Sequence, residues 1–143
     1  MVNEVLNAMS AQLHATFGDT YRYYLEDVEQ NLTTPCFTID TILPLERSKS
    51  AILYDRTMPM VIHHFTNDKK DTKKTLYAIA EETIECLEYL PFKNTVLRGE
   101  NLSWQIVDDV LQVFVTYKFT TKKIITVEDE METLISDTKV SDI

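Results

Sequence analysis

Asp27, Glu29 and Cys36 fall within the stretch YLEDVEQNLTTPCFTI, from Tyr24 to Ile39, and are the residue types that serve as acid, base and nucleophile. A reactive thiolate needs a lowered pKa, supplied by a nearby cation, a histidine or a helix N-terminus. No such group is local. His14 falls on an expected helix and His63 and His64 in an apolar run, so any pairing with Cys36 has to be made by the tertiary fold. The same stretch also reads coherently as architecture. Residues Asn31 to Pro35 are rich in turn formers, Pro35 has no N–H to give a ladder, and Cys36-Phe37-Thr38-Ile39 then opens an extended run. Free cysteine behaves as a small hydrophobe, so a buried structural thiol is the favoured reading.

The other ionisable groups point the same way. His63 and His64 are adjacent, so in a strand they face opposite sides and cannot chelate one metal together; one is expected half-buried and the other exposed. Glu81-Glu82 on a helix and Asp108-Asp109 in a hairpin turn are where solvated acids normally sit. An acid/base pair would need one carboxyl in an apolar pocket, which nothing in the sequence indicates. With only Gly18 and Gly99, neither a P-loop nor a GxGxxG dinucleotide loop can be written. No catalytic residue, cofactor or metal is expected.

The elements that would position these residues follow from length and periodicity. At 143 residues the chain is long enough for one domain with a real core, and 44% hydrophobic against 26% charged residues is ordinary for a globular protein. The charge is less ordinary: 14 Lys+Arg against 23 Asp+Glu give −9, a surface that repels a phosphate backbone. No run has the length of a signal peptide or a membrane span, which gives the expectation of a protein made and used in a cytoplasm. Cys36 and Cys86 are then expected as free thiols.

Val2, Val5, Leu6, Met9, Leu13 and Phe17 recur at helical spacing, and Gly18 offers a left-handed stop. Tyr21, Tyr23 and Leu25 alternate weakly, as in a short strand. Phe37, Ile39, Thr41 and Leu43 fall on one face of a strand that Pro44 closes. After a polar break at Glu46 to Ser50, residues Ala51 to Phe65 read as extended, with Pro59 demanding an edge position or a bulge. Asn67 to Lys74 is charged and turn-like; Leu76, Ala80, Ile84, Leu87 and Leu90 mark a second helix ending before Pro91. Leu102, Trp104 and Ile106, then Leu111, Val113, Val115, Tyr117 and Phe119, form the two arms of a hairpin about Asp108-Asp109. This order predicts an α+β domain over residues 1–120, two amphipathic helices packed on a largely antiparallel β-sheet. Residues 121–143 change character, with Glu128, Asp129, Glu130 and Glu132 around Met131, Leu134 and Ile135. They read either as a solvated end or as an extended acidic arm that orders against a neighbour.

One further reading rests on resemblance. Tyr24-x-x-x-Val28-Glu29-Gln30-x-Leu32-x-x-Pro35-Cys36-Phe37-x-Ile39 resembles the signature region of a small-protein family from the tail-assembly regions of long-tailed bacteriophages and of phage-like prophages of Gram-positive bacteria. Tyr54-Asp55-Arg56 with the run to His63-His64-Phe65, Leu97-Arg98-Gly99, the hairpin from Ile106 to Phe119 and a terminal Met131-Glu132-x-Leu134 agree with it in order along nearly the whole chain. Asp108-Asp109 stands where Asp-Gly is the family expectation. The resemblance implies a tail terminator or tail-completion protein: a structural, non-catalytic virion component, assembled in the bacterial host cytoplasm, that forms a hexameric ring on the tail tube. It would end tube polymerisation and face the neck of the head. Its implied partners are other copies of the chain, the tube protein, and sheath or head-neck connector proteins, with DNA passing through the lumen without specific binding. Glu128, Met131, Leu134 and Ile135 are then candidate subunit or partner contacts. The alternatives are a head-completion or neck connector protein, a small cytoplasmic enzyme using Cys36 with a histidine, and a metal-binding regulator.

Overall fold

The structure, a computed structural model, describes residues 1–25, 33–66 and 73–123. Helix α1 spans Val2–Phe17 and buries Val5, Leu6, Met9 and Leu13, the stripe expected from the spacing. Gly18 ends it at φ 79, donating its N–H to the His14 carbonyl. A positive φ at this position costs glycine little and any other residue more. A single 3₁₀ turn, Gly18–Thr20, leads to strand β1, Arg22–Tyr24, followed by β2, Cys36–Thr41, β3, Leu45–Ser48, and β4, Leu53–Phe65. Helix α2, Lys73–Glu88, precedes β5, Tyr89–Phe92, β6, Thr95–Val107, and β7, Val110–Lys122.

Among the described residues the strands form one seven-stranded sheet in the order β1-β2-β4-β7-β6-β5, with β3 also paired to β4; every pairing there except the parallel β1–β2 is antiparallel. The α+β class with two helices on a largely antiparallel sheet is what the sequence predicts. Helix α1 touches both β2 and β5. Four strand spacings of roughly 4.8 Å separate those strands, about 19 Å if flat, against a helix about 10–12 Å across. The sheet therefore has to curl around the helix pair.

The core follows from alternation. Tyr54, Arg56, Met58, Met60, Ile62 and His64 of β4 face inward, matched by Leu111, Val113, Val115 and Tyr117 of β7. Helix α2 adds Leu76, Ile79, Ala80, Thr83 and Leu87. Its last turn is fastened by the buried Tyr117 hydroxyl, which donates to the Leu87 carbonyl at 2.6 Å. Directly across the ladder from Tyr117 is Gly99, where a Cβ would come within 2.6 Å of Val115 Cγ2 and 3.3 Å of the Leu87 carbonyl oxygen. A side chain there would force Val115 to shift and would crowd the Leu87 carbonyl.

Several boundaries differ from expectation. Leu43 is not on the inward face of β2: the ladder stops at Thr41, and Leu43, at φ 51, turns outward and is 86% exposed. The supposed polar break contains β3, held by pairing to β4 rather than by any apolar face of its own. Leu90 belongs to β5, not to the helix, because Pro91 drives the residue before it out of the helical region. The charged stretch at residues 67–72 lies outside the described residues.

Pro59 sits well inside β4, which has neighbours on both sides, yet its requirement for an edge is met locally. A strand residue directs its N–H and C=O to the same flank, and the Pro59 carbonyl accepts from the Ile42 N–H at 2.8 Å. On that flank β2 pairing has stopped at Met60 and β3 pairing begins at Thr57, so Pro59 occupies the gap between them. The Asp108-Asp109 turn has φ of 51 and 65, the two positive values that define a type I′ hairpin.

Two substitutions test this account. Gly99→Ala is expected to lower stability by about 1–3 kcal/mol through overpacking, seen as a lower urea midpoint with an unchanged slope. Asp109→Gly removes a side chain from the left-handed region and is expected to stabilise the fold by about 0.5–1 kcal/mol in the same titration.

Candidate functional site

Cys36 opens β2 and is fully buried. Its neighbour Phe37 lies opposite His64 in the ladder, whereas Cys36 lies opposite Phe65, so the thiol and the His64 ring face opposite sides of the sheet. His64 is packed in an aromatic cluster, 4.9 Å from the Phe37 ring and 5.6 Å from Tyr21, which Tyr23 and Phe17 complete. His63 is half-buried, on the other face, with its ring 6.1 Å from Phe65. The adjacent pair is thus split across the sheet as expected, though the inward ring is more deeply buried than anticipated.

Burial alone acts on the Cys36 thiol and pushes its pKa up, away from the thiolate. Cys86 on α2 is raised to about 11, chiefly by burial, with Glu82 and Glu85 adding to the shift and a hydrogen bond involving Thr16 opposing it. Neither cysteine has the electropositive surroundings of an activated nucleophile. Asp27 and Glu29, the remaining members of the opening constellation, lie outside the described residues. Glu81 and Glu82 are exposed on α2, and Asp108 and Asp109 are exposed in the hairpin turn. Trp104 packs against Tyr77, with ring centroids 5.3 Å apart. Among the described residues no group of three or more His, Cys, Asp or Glu is arranged to hold a metal ion.

Two concave surfaces are lined by described residues. An open groove of about 1050 Å³ runs between α1 and β1, lined by His14, Asp19, Tyr21, Arg22 and Tyr23 among others. His14 Nε2 pairs with the Asp19 carboxylate, and the Tyr23 hydroxyl donates to the Gly18 carbonyl at 2.8 Å, closing the end of α1. The Tyr23 phenol is raised to about 12, first by burial and then by Tyr21 and Asp19.

The second surface is a cleft of about 450 Å³ at the end of the sheet where β3, β4 and β7 meet, lined by Leu45, Arg47, Asp55, Arg56, Lys118 and Phe119 among others. Arg56 is 7% exposed. Its Nε donates to Thr121 Oγ1 at 2.9 Å and its Nη2 lies 3.2 Å from Glu46 Oε1, so one guanidinium ties β3, β4 and β7 together. Sequence reasoning noted Arg56 only as part of a motif. The signal was available: between Tyr54 and Met58 it occupies the inward phase of an alternating strand, where a charge has to be paired.

Basic residues concentrate here. Arg47, Lys49, Arg56, Lys118, Lys122 and Lys123 all lie on β3, its link to β4, or the paired ends of β4 and β7. Beside them stand the exposed apolar residues Ile42, Leu43 and Leu45 of the β2–β3 corner. Glu128, Met131, Leu134 and Ile135, the contacts expected from sequence, lie outside the described residues.

Both thiols are raised by burial, and the ionisable groups His14, Arg56 and Lys118 of the two concave surfaces pair with neighbouring side chains. The chain belongs to the phage tail terminator protein family, whose model matches residues 4–132. No curated protein matches the chain. Membership gives it a structural role in a phage tail, as a virion component in contact with other tail components. Among the described residues no helix is long and apolar enough to cross a membrane.

The thiols supply a test. A shift from the ordinary 9.0 to about 11 at Cys86 lowers its thiolate fraction at pH 8 by about 100-fold. Iodoacetamide is therefore expected to label Cys86 about 100-fold more slowly than a free thiol at that pH, and Cys36 only on unfolding. Rapid labelling of Cys36 in the folded protein would contradict the burial described.

Proposed function

We propose that six copies of this chain close into a ring on the end of the tail tube, stop its polymerisation and present a surface to the head-proximal neck, without catalysis. The observation that carries this reading is the match to the tail terminator family over residues 4–132. The two outermost strands are consistent with it. β1 has three residues, and β5 has four, one of them Pro91. Short edges and an edge proline resist open-ended strand addition. A ring that must close then makes its contacts through faces and extensions, with one patch meeting a different patch on the neighbour.

Charge fits the role as well. Six chains at −9 each carry about −54, and an acidic lumen lets DNA pass with little phosphate binding. The tube protein is the first partner in this reading, with sheath and head-neck connector proteins on the outer and upper sides. The acidic segment that follows β7, through Glu128, Met131, Leu134 and Ile135, contributes to contacts between ring subunits. Assembly takes place in the host cytoplasm before the tail joins the head.

Polymerising purified tube protein with and without this chain, and imaging the products by negative stain, tests the proposal. Tubes of defined length bearing a ring-shaped cap are expected. Unchanged tubes together with binding to portal complexes would assign the chain to the neck instead, and binding to neither would overturn both assignments.

A further inference from the structure

Large apolar side chains that stay exposed gather at two places among the described residues. One is the β2–β3 corner, where Ile42, Leu43 and Leu45 are 46%, 86% and 61% exposed around Pro44. The other is the β5–β6 hairpin, where Tyr89 and Val96 are 54% and 55% exposed and Pro91 is exposed with them. Pro91 lies opposite Val96 and Tyr89 opposite Arg98, so alternation puts these four on one face of the hairpin while Leu90, Phe92 and Leu97 turn into the core. Leu45 lies opposite Thr57, between the inward residues Arg56 and Met58, so it also points away from the core. Clustered rather than scattered, exposed apolar side chains mark interaction surfaces.

Both patches belong to the outer face, on the two flanks of one end of the sheet. Leu45 is on β3 and Tyr89 on β5, with β4, β7 and β6 between them. That is four strand spacings, about 19 Å along the sheet. Since the sheet curls around the helices, its outer face is convex and the two patches look in different directions. They cannot meet within one subunit, but the corner of one copy can meet the hairpin of the next. Their charges suit that meeting. Exposed Arg47 and Lys49 follow Leu45 at the corner, and Glu85 and Glu88 in the last turns of α2 precede Tyr89 at the open edge of β5. Toward the middle of the sheet the signs reverse, with Asp55 opposite Arg47 and Arg98 opposite Tyr89. Charges of opposite sign beside an apolar contact select the partner and fix its register.

We infer that successive copies of this chain meet head to tail, with Leu43 and Leu45 of one copy seated against Tyr89, Pro91 and Val96 of the next, and Arg47 and Lys49 facing Glu85 and Glu88. The inference names the subunit contact that the ring reading requires, and it rests on that reading. Because the two patches differ, a copy that has paired through one still offers the other. Repeated with a rotation that closes, such a contact builds a ring, whereas a patch that met its own kind would stop at two.

Cross-linking on capped tubes tests the contact. Copies carrying Leu45→Cys are mixed with copies carrying Val96→Cys, bound to tube ends and treated with a short bis-maleimide, the unmodified chain with its two native thiols giving the background. Cross-linked dimer at least about tenfold above background is expected from the mixture and from neither variant alone. A chain with both substitutions is expected to give a ladder of products up to the whole ring. Leu43→Asp combined with Leu45→Asp, and separately Val96→Asp, should each abolish the cap, while Val107→Asp, at an exposed apolar site beside the β6–β7 turn, should leave it in place. Capped tubes with no cross-link in the mixture, or with cross-links in either variant alone, would overturn this contact and leave the terminator reading standing. So would a cap that survives both the corner and the hairpin aspartates. Tubes that the unmodified chain fails to cap would remove the reading and this inference together.

Discussion

The pairing of β4 with β7 is the constraint on which the rest of the molecule depends. It runs without interruption from Leu53 opposite Lys122 to His64 opposite Leu111. Because successive side chains alternate, a slip of β4 by one residue would turn Met58, Met60 and Ile62 away from the face they share with Val113, Val115 and Tyr117 of β7. Everything else is hung from this ladder. β2 and β3 share one flank of β4, β6 takes the free flank of β7, and α2 is fastened to β7 by the hydrogen bond from Tyr117 to Leu87. Arg56 reinforces the register. Paired in the ladder with Glu46 on one side and beside Thr121 on the other, its guanidinium finds both partners only when three strands are aligned. Removing one member of a buried ion pair strands the other, although the loss is moderated here because Glu46 is 36% exposed.

Elements with strong internal periodicity were legible in the sequence. The stripe of α1, the alternating arms of the β6–β7 hairpin and the inward run of β4 each bury an apolar face long enough to announce its period. What was hidden depends on pairing at a distance. β3 has no apolar face, being exposed at all four residues, and exists because β4 offers it a free flank. The placement of Leu90 was decided by a local rule, the effect of Pro91 on the preceding residue, outweighing an apolar position that fits helical spacing. Asp108-Asp109 departs from the expected Asp-Gly without changing the turn, since aspartate tolerates the left-handed region better than most residues.

The candidate site divides along the same line. That Cys36 is a buried structural thiol could be read from its surroundings in sequence, and the ladder adds the reason it does not meet His64: one residue of register separates them onto opposite faces. The concentration of basic residues at one end of the sheet could not be read, because β3, β4 and β7 bring together positions far apart in the chain. A net charge of −9 describes the molecule as a whole and conceals this local reversal.

Pro59 has a consequence for how the molecule can change over evolutionary time. By standing in the gap between β2 and β3, it lets the chain leave the ladder, turn a corner and rejoin while β4 stays fully paired to β7. The corner is thereby insulated from the core: Leu43 and its neighbours can be exchanged, lengthened or recharged with little penalty to folding. The tip is free to vary while the scaffold that carries it is kept.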